Sequence, residues 1–188
     1  MDELILISNL VNDDRRSFDV LVDTYKDRVY NTALAFVQNK NDAEDLTQEV
    51  FLEIFLSIKH FKKHSKLSTW IYRITVTKAL DMLRSRKRKK RFAFVTDLFS
   101  KENQLIHDPP DFAHPGVKME NKELSTVLFK AISKLPKNQK IAFTLNKVEG
   151  LNYSEISEIM NITVSSVESL LFRARQKLRL LLTDYYKS

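Results

Sequence analysis

A chain of 188 residues with 43% apolar content can form one domain or two small ones, each with a core. Two glycines and four prolines are too little punctuation for a turn-rich β architecture or a phosphate-cradling glycine loop, and the lack of cysteine excludes disulfides, thiolate zinc sites and thiol catalysis. The formal charge of +7 favours a polyanionic partner, and no apolar run reaches the ~18 residues of a membrane-spanning helix. Met1-Asp2-Glu3 lacks the basic opening of a secretory leader, so the reducing cytoplasm is the expected compartment.

The expected fold is all-α, with two small helical domains, 1–91 and 117–188, joined by a flexible linker over 92–116. Leu4, Ile7, Leu10 and Val11 recur at helical spacing, and Asn12-Asp13-Asp14 reads as a turn. A second helix carries Phe18, Leu21, Val22, Tyr25, Val29 and Ala33 on one stripe and stops at Asn39-Lys40-Asn41. Asn41 is the expected N-cap of a third helix, with Glu44 as its capping-box partner. A basic loop, Phe61 to Ser68, leads to a fourth helix from Thr69 to about Arg88. Between Phe92 and Pro115 the periodicity fails and His107-Asp108-Pro109-Pro110 and His114-Pro115-Gly116 act as breakers. It returns with Leu124, Leu128, Ala131, Ile132 and Leu135, then with a helix from Lys137 to Val148 closed by Gly150. Two helices with a tight joint follow, Tyr153–Met160 and Val164–Leu182.

The third helix has two faces. Asp42, Asp45, Glu49 and Glu53 form an acidic one, and Ala43, Leu46, Val50 and Ile54 an apolar one. In a net-basic chain the acidic face is suited to a basic protein surface, although a solvated charged face is the plainer reading. The fourth helix pairs a core stripe, Ile71, Ile74, Leu80 and Leu83, with Tyr72, Arg73, Thr77, Lys78, Asp81 and Arg84 on its other sides. From Arg84 to Arg91 every residue but Ser85 is basic. Lys62, Lys63, His64 and Lys66 lead into Trp70 and Tyr72; cations beside aromatics suit single-stranded DNA, where unstacked bases need a π-platform. Core packing is the competing fate of Trp70.

Leu151–Arg179 has the layout of a helix-turn-helix. Ile156, Ile159 and Met160 form the inner face of its first helix, and Val167, Leu170, Leu171 and Ala174 that of its second. Ile162 points inward in the joint, and Thr163 caps the second helix in competition with a Ser165/Glu168 box. The outer face presents Ser165, Ser166, Glu168, Ser169, Phe172, Arg173 and Arg175, with Lys177 and Arg179 beyond, suited to base and phosphate contacts.

The stretches Asp42–Phe51, Ser68–Ile74, Leu135-Pro136, Gly150–Ile156 and Phe172–Arg175 resemble, in order and spacing, the motifs of extracytoplasmic-function (ECF) sigma factors of bacterial RNA polymerase. The resemblance implies sigma regions 2 and 4. Asp42, Asp45, Gln48, Glu49, Phe51 and Leu52 would bind the clamp helices of the polymerase β′ subunit. Lys62, Lys63, His64, Ser65, Lys66, Trp70, Tyr72, Arg73, Thr77, Lys78, Arg84 and Arg88 would recognise and open the −10 element. Ser165, Ser166, Glu168, Ser169, Phe172, Arg173, Arg175 and Lys177 would read the −35 element, with region 4 docked on the β flap. No catalytic residue, metal or cofactor is implied, and many relatives are held by an anti-sigma protein. Glu168 and Leu170 stand where the family often has basic residues, Thr77 where asparagine is common and Leu67 where an aromatic is frequent; the first two bear on −35 specificity.

Three other readings are open at this level. A helix-turn-helix regulator acting without polymerase explains Leu151–Arg179 but not the acidic helix or the Trp70 loop. A non-specific nucleic-acid binder would use the basic run alone. An enzyme would need acid–base work from His60, His64, His107 or His114; His60 and His64 have metal-ligand spacing for a helix but flank a basic loop.

Overall fold

The computed structural model describes residues 3–97 and 122–186, with side chains over 3–88 and 127–183. The expected linker beyond 97, the Leu124 side chain and the side chains of Lys89, Lys90 and Arg91 lie outside the described residues. Every regular element described is helical.

In the amino-terminal half, α1 (Glu3–Val11) lies against α2 (Arg15–Val37), and α2, α3 (Lys40–Ser57) and α4 (Leu67–Asp97) pack together, with a 3-10 turn at Ile58–His60. Asp14 caps α2 by accepting from the Ser17 amide at 2.9 Å, and Gln38 ends it in the left-handed conformation at φ 56°. The N-cap of α3 is Asn39, two residues before the expected Asn41, and its side chain accepts from the Asp42 amide. Leu21, Val50, Ile54, Leu67 and Ile71 fill the core of this half. On α1 the buried stripe is Leu6, Ile7 and Leu10; Leu4 and Val11, expected inside, are exposed. Helix α4 continues to Asp97, six residues past the expected boundary at 91. The reason is local: apolar periodicity reports packing, whereas nothing between Leu67 and Asp97 breaks a helix, since no glycine or proline occurs there and lysine and arginine are good helix formers.

In the carboxy-terminal half, α8 (Val164–Tyr186) packs on α5 (Lys122–Ser133), α6 (Lys137–Lys147) and α7 (Tyr153–Met160). Pro136 precedes α6, where a missing N–H costs nothing. Gly150, at φ +70°, turns the chain after α6, and the Leu151 amide returns to the Leu145 carbonyl. A capping box between Asn152 and Glu155 opens α7. Asn161 at φ 53° closes α7, and Thr163 Oγ1 accepts from the Ser166 amide at the start of α8, so Thr163 prevails over the Ser165/Glu168 alternative. Val167, Leu171, Ala174 and Leu178 form the buried face of α8.

The two halves pack on each other. One continuous core joins Ala33–Val37, Ala43, Leu46, Tyr72, Val76 and Ala79 to Phe129, Ile132, Ile141, Leu145, Ile156 and Leu171. The end of α2 is buried on all sides because one half covers one flank and the other half the opposite flank. Polar bonds cross the seam: Gln38 Nε2 donates to the Phe129 carbonyl at 2.7 Å, Lys140 Nζ to the Phe36 carbonyl at 3.0 Å and Arg73 Nε to the Glu158 carbonyl at 3.1 Å.

Leu171 is fully buried at the centre of the carboxy-terminal core. Leu171→Ala should destabilise the chain by about 2–5 kcal/mol, the usual cost of such a cavity, measured by urea unfolding.

Candidate nucleic-acid and protein interfaces

Helix α3 presents its apolar face inward and its polar face outward. Ala43, Leu46, Val50 and Ile54 are completely buried, while Asp45, Gln48, Glu49 and Leu52 are exposed. The acidic face is thinned at both ends by internal pairing. Asp42 is half-buried against the Arg86 guanidinium of α4, and Glu53 meets Lys78 of α4 at 3.1 Å. Asp45 and Glu49 form no ion pair with a described residue and remain as the free acidic pair. Phe51, expected on the docking surface, is a core residue at 8% exposure, because the apolar stripe of α3 is wide enough to take it in beside Val50. Phe55 and Leu56, which the sequence reading did not assign, are exposed with Leu52 and extend the acidic strip with an apolar end. A position one turn beyond an acidic residue on the same face was the available signal.

The loop before α4 turns sharply at Lys63, where φ is 56°. Lys62, Lys63, His64 and Lys66 are exposed and Ser65 half-buried. His60 ends the 3-10 turn and His64 lies in the loop, so the helical metal-ligand spacing does not arise. Glu3 accepts from the Leu67 amide at 3.0 Å and ties α1 to the start of α4. Trp70 and Phe61 pack ring to ring at 5.0 Å and 37°; both are half-buried on the amino-terminal core. Trp70 therefore packs inward on the core while part of its ring stays accessible next to Phe61, at the end of the loop that carries Lys62, Lys63 and Lys66.

Farther along α4 the expected DNA-facing residues divide. Thr77, Arg84 and Arg88 are exposed, although Arg84 also pairs with Asp81 at 2.9 Å. Lys78 is engaged with Glu53. Tyr72, expected outside the core stripe, is buried at 6% exposure, and its hydroxyl donates to Glu149 Oε2 at 3.5 Å. Burial foremost, then the Glu149 charge, pushes its phenol well above the usual range. Arg73 is held by the Glu158 carbonyl of α7. Tyr72 and Arg73 depart from expectation because the carboxy-terminal half packs on this side of α4, a long-range contact that helical periodicity does not encode. A cleft of about 580 Å³ runs along the same contact, between Arg73, Thr77 and Leu80 on one side and Asn138, Met160 and Asn161 on the other.

On α8 the expected readers stand together. Ser165, Ser166, Glu168, Ser169, Phe172, Arg173, Arg175 and Lys177 are all exposed, on the side opposite Val167, Leu171 and Ala174. The Ser166 hydroxyl lies 2.8 Å from Thr163 Oγ1, and Arg175 donates to the Tyr153 hydroxyl at 3.2 Å, which turns it toward the start of α7. Short side chains in the first turn and cations farther on allow the helix N-terminus to approach a groove closely while the cations meet phosphates.

This geometry is that of a DNA-binding transcription initiation factor, and the comparisons agree. The Sigma-70 region 2 family matches residues 21–89 and the Sigma-70 region 4 family residues 126–178. The chain belongs to the ECF RNA polymerase sigma factors, proteins that direct core RNA polymerase to promoters and assist strand opening. It is 32% identical to the ECF RNA polymerase sigma-E factor of Haemophilus influenzae, over 91% of this chain and 90% of that one. It is 31% identical to the ECF RNA polymerase sigma factor SigW of Bacillus subtilis, over 95% of each. Among solved structures, CnrH in complex with the cytosolic domain of CnrY has the same fold, with a TM-score of 0.70, 19% identity and 97% of each chain covered. The sigma factor RpoE of Bartonella quintana, solved with the anti-sigma factor NepR, matches at a TM-score of 0.64 and 19% identity, over 89% of this chain and 98% of that one. No helix of the described residues is long and apolar enough to cross a membrane.

Trp70→Ala removes both the inward packing and the accessible part of the ring. It should cost about 1–2 kcal/mol of stability, as for a half-buried aromatic, yet reduce strand opening on a promoter duplex much more than binding to the closed duplex, measured by a fluorescent-base opening assay beside a gel-shift titration.

Proposed function

We propose that Asp45, Gln48, Glu49 and Leu52 of α3 dock on the clamp helices of the β′ subunit, in the cytoplasm. The cationic loop and the Phe61–Trp70 pair then receive the opened −10 strand. The outer face of α8 reads the −35 element, with the carboxy-terminal half seated on the β flap. One observation carries this division of labour: Asp45 and Glu49 stand exposed and without an ion pair on one face of α3, whereas Lys62, Lys63 and Lys66 stand exposed in the loop between Phe61 and Trp70, and Arg173, Lys177 and Arg179 along the outer side of α8. Carboxylates near phosphates are repelled, and cations near a basic protein surface are repelled, so each surface selects its partner by sign.

Glu168 is the exception to that rule, a carboxylate in the middle of the reading face. It can accept a hydrogen bond from cytosine N4 in the major groove, a contact that selects a base rather than neutralising a phosphate. Glu168→Gln should therefore change which −35 sequence is preferred by about tenfold, equivalent to the 1–3 kcal/mol of a base-edge contact, while leaving the salt dependence of binding nearly unchanged. A systematic −35 substitution panel at two salt concentrations measures both.

The docking assignment is tested by reversing the free acidic pair. Asp45→Lys with Glu49→Lys should lower affinity for core polymerase at least a hundredfold, measured by fluorescence anisotropy. Both positions are exposed, so stability should move by no more than about 0.5 kcal/mol per site. Unchanged core affinity in a folded double variant would refute the assignment.

A further inference from the structure

Neither the polymerase strip nor the promoter surfaces proposed above use the cleft of about 580 Å³ between α4 and the carboxy-terminal half. Buried Val76, Ile141 and Ile159, with half-buried Leu80 and Met160, supply its apolar lining. Arg73 and Thr77 of α4 line it with Lys137 and Asn138 of α6 and with Asn161. No carboxylate is among the described residues that line it. A concave volume of a few hundred Å³, largely apolar with a few convergent polar groups, has the make-up of a small-molecule site.

Arg73 supplies the sign of the ligand. Its Nε donates to the Glu158 carbonyl at 3.1 Å, and its Nη2 bonds the same oxygen. A neutral acceptor thus takes the side edge of the guanidinium and fixes the group without cancelling its charge. Arg73 forms no ion pair with a described residue. Its end edge, made by Nη1 and the second N–H of Nη2, bonds no described residue either. That edge offers two parallel donors, the fork that fits a carboxylate or a phosphate. The carbonyl already holds the rotamer, so an incoming anion has less freedom to remove. The group is half-buried among apolar side chains, where its charge is less screened than on an open surface.

We propose that this cleft is a binding site for a small organic anion, with a carboxylate or phosphate head paired to Arg73 and drawn in by Lys137, and an aromatic or branched aliphatic body lying on Val76, Ile159 and Met160. The head alone would gain no apolar burial, and the body alone would leave the guanidinium without a counter-charge, so both parts are required. The walls come from α4 in one half and from α6 and α7 in the other. A bound ligand therefore bridges the halves, and its affinity is linked to their packing. The site is independent of the polymerase and promoter assignments.

Anilinonaphthalene sulfonate, an anionic head on an aromatic body, probes the site in the full chain. Its fluorescence should rise to saturation with one probe bound per chain. Two competitors separate the parts of the ligand: uncharged phenylnaphthylamine, which is the body alone, and inorganic sulfate, which is the head alone. Each should displace the probe only at concentrations about tenfold above its own, or higher. Arg73→Gln keeps a donor for the Glu158 carbonyl but removes the charge, and should weaken the probe about tenfold. Lys137→Gln, at an exposed position, should weaken it about threefold. Should Arg73→Gln lower the melting temperature, the effect of Lys137→Gln decides the matter by itself. Probe binding that is unchanged in the double variant would place it on another apolar surface, such as exposed Leu52, Phe55 and Leu56, and would overturn the site. Equal affinity for the charged probe and the uncharged amine would overturn the role of Arg73 and with it the class of ligand.

Discussion

The organisation of this molecule depends on the burial of one helix end. Thr32 through Val37 form the last turns of α2, and every one of these residues is buried. A helix has a single inward face when it packs on one layer, so a helix buried all round must be covered from two sides. The amino-terminal half supplies one cover through α3 and α4, and the carboxy-terminal half the other through α6. Once that end is enclosed, its carbonyls must be satisfied from the same two sources, and the Lys140 ammonium and the left-handed Gln38 cap do this. The contact of α7 with α4 follows, as does the outward direction of the α8 reading face.

The second level of organisation is electrostatic. The chain contains acidic and basic faces close together on α3 and α4, and it neutralises part of each internally, through Asp42 with Arg86 and Glu53 with Lys78. Such partly exposed pairs contribute little to stability, roughly 0–1 kcal/mol each. Their larger effect is on availability. They remove two carboxylates from the α3 surface and leave Asp45 and Glu49, flanked by exposed Leu52, Phe55 and Leu56, as the strip offered to a partner. A strip that joins free carboxylates at one end to exposed apolar side chains at the other offers a partner both charge and apolar area.

Local signals in the sequence located most of the fold. Capping residues and left-handed positions act within a few residues, which is why the Thr163 cap, the Gly150 turn and the helix-turn-helix joint were legible, as was the exposure of the whole α8 reading set. The α3 faces were legible through their period, and Phe51 was misplaced because a period marks the middle of a stripe better than its edge. What the sequence did not disclose lies in the seam. Tyr72, Arg73, Lys140 and Glu149 take their roles from residues about 70 to 105 positions away, and no local pattern encodes that pairing. One signal was present: the unbroken run Ala33-Leu34-Ala35-Phe36-Val37 has no polar face and therefore asks for a second cover.

Hydrogen exchange tests the enclosed helix end most directly. In the free chain the amides of residues 34–38 and 157–160 should be strongly protected together, since both segments end in seam contacts, and Lys140→Ala, which removes the donor to the Phe36 carbonyl, should lower the protection of both. Protection that is already low in the free chain, or that falls in only one of the two segments in the variant, would contradict the account.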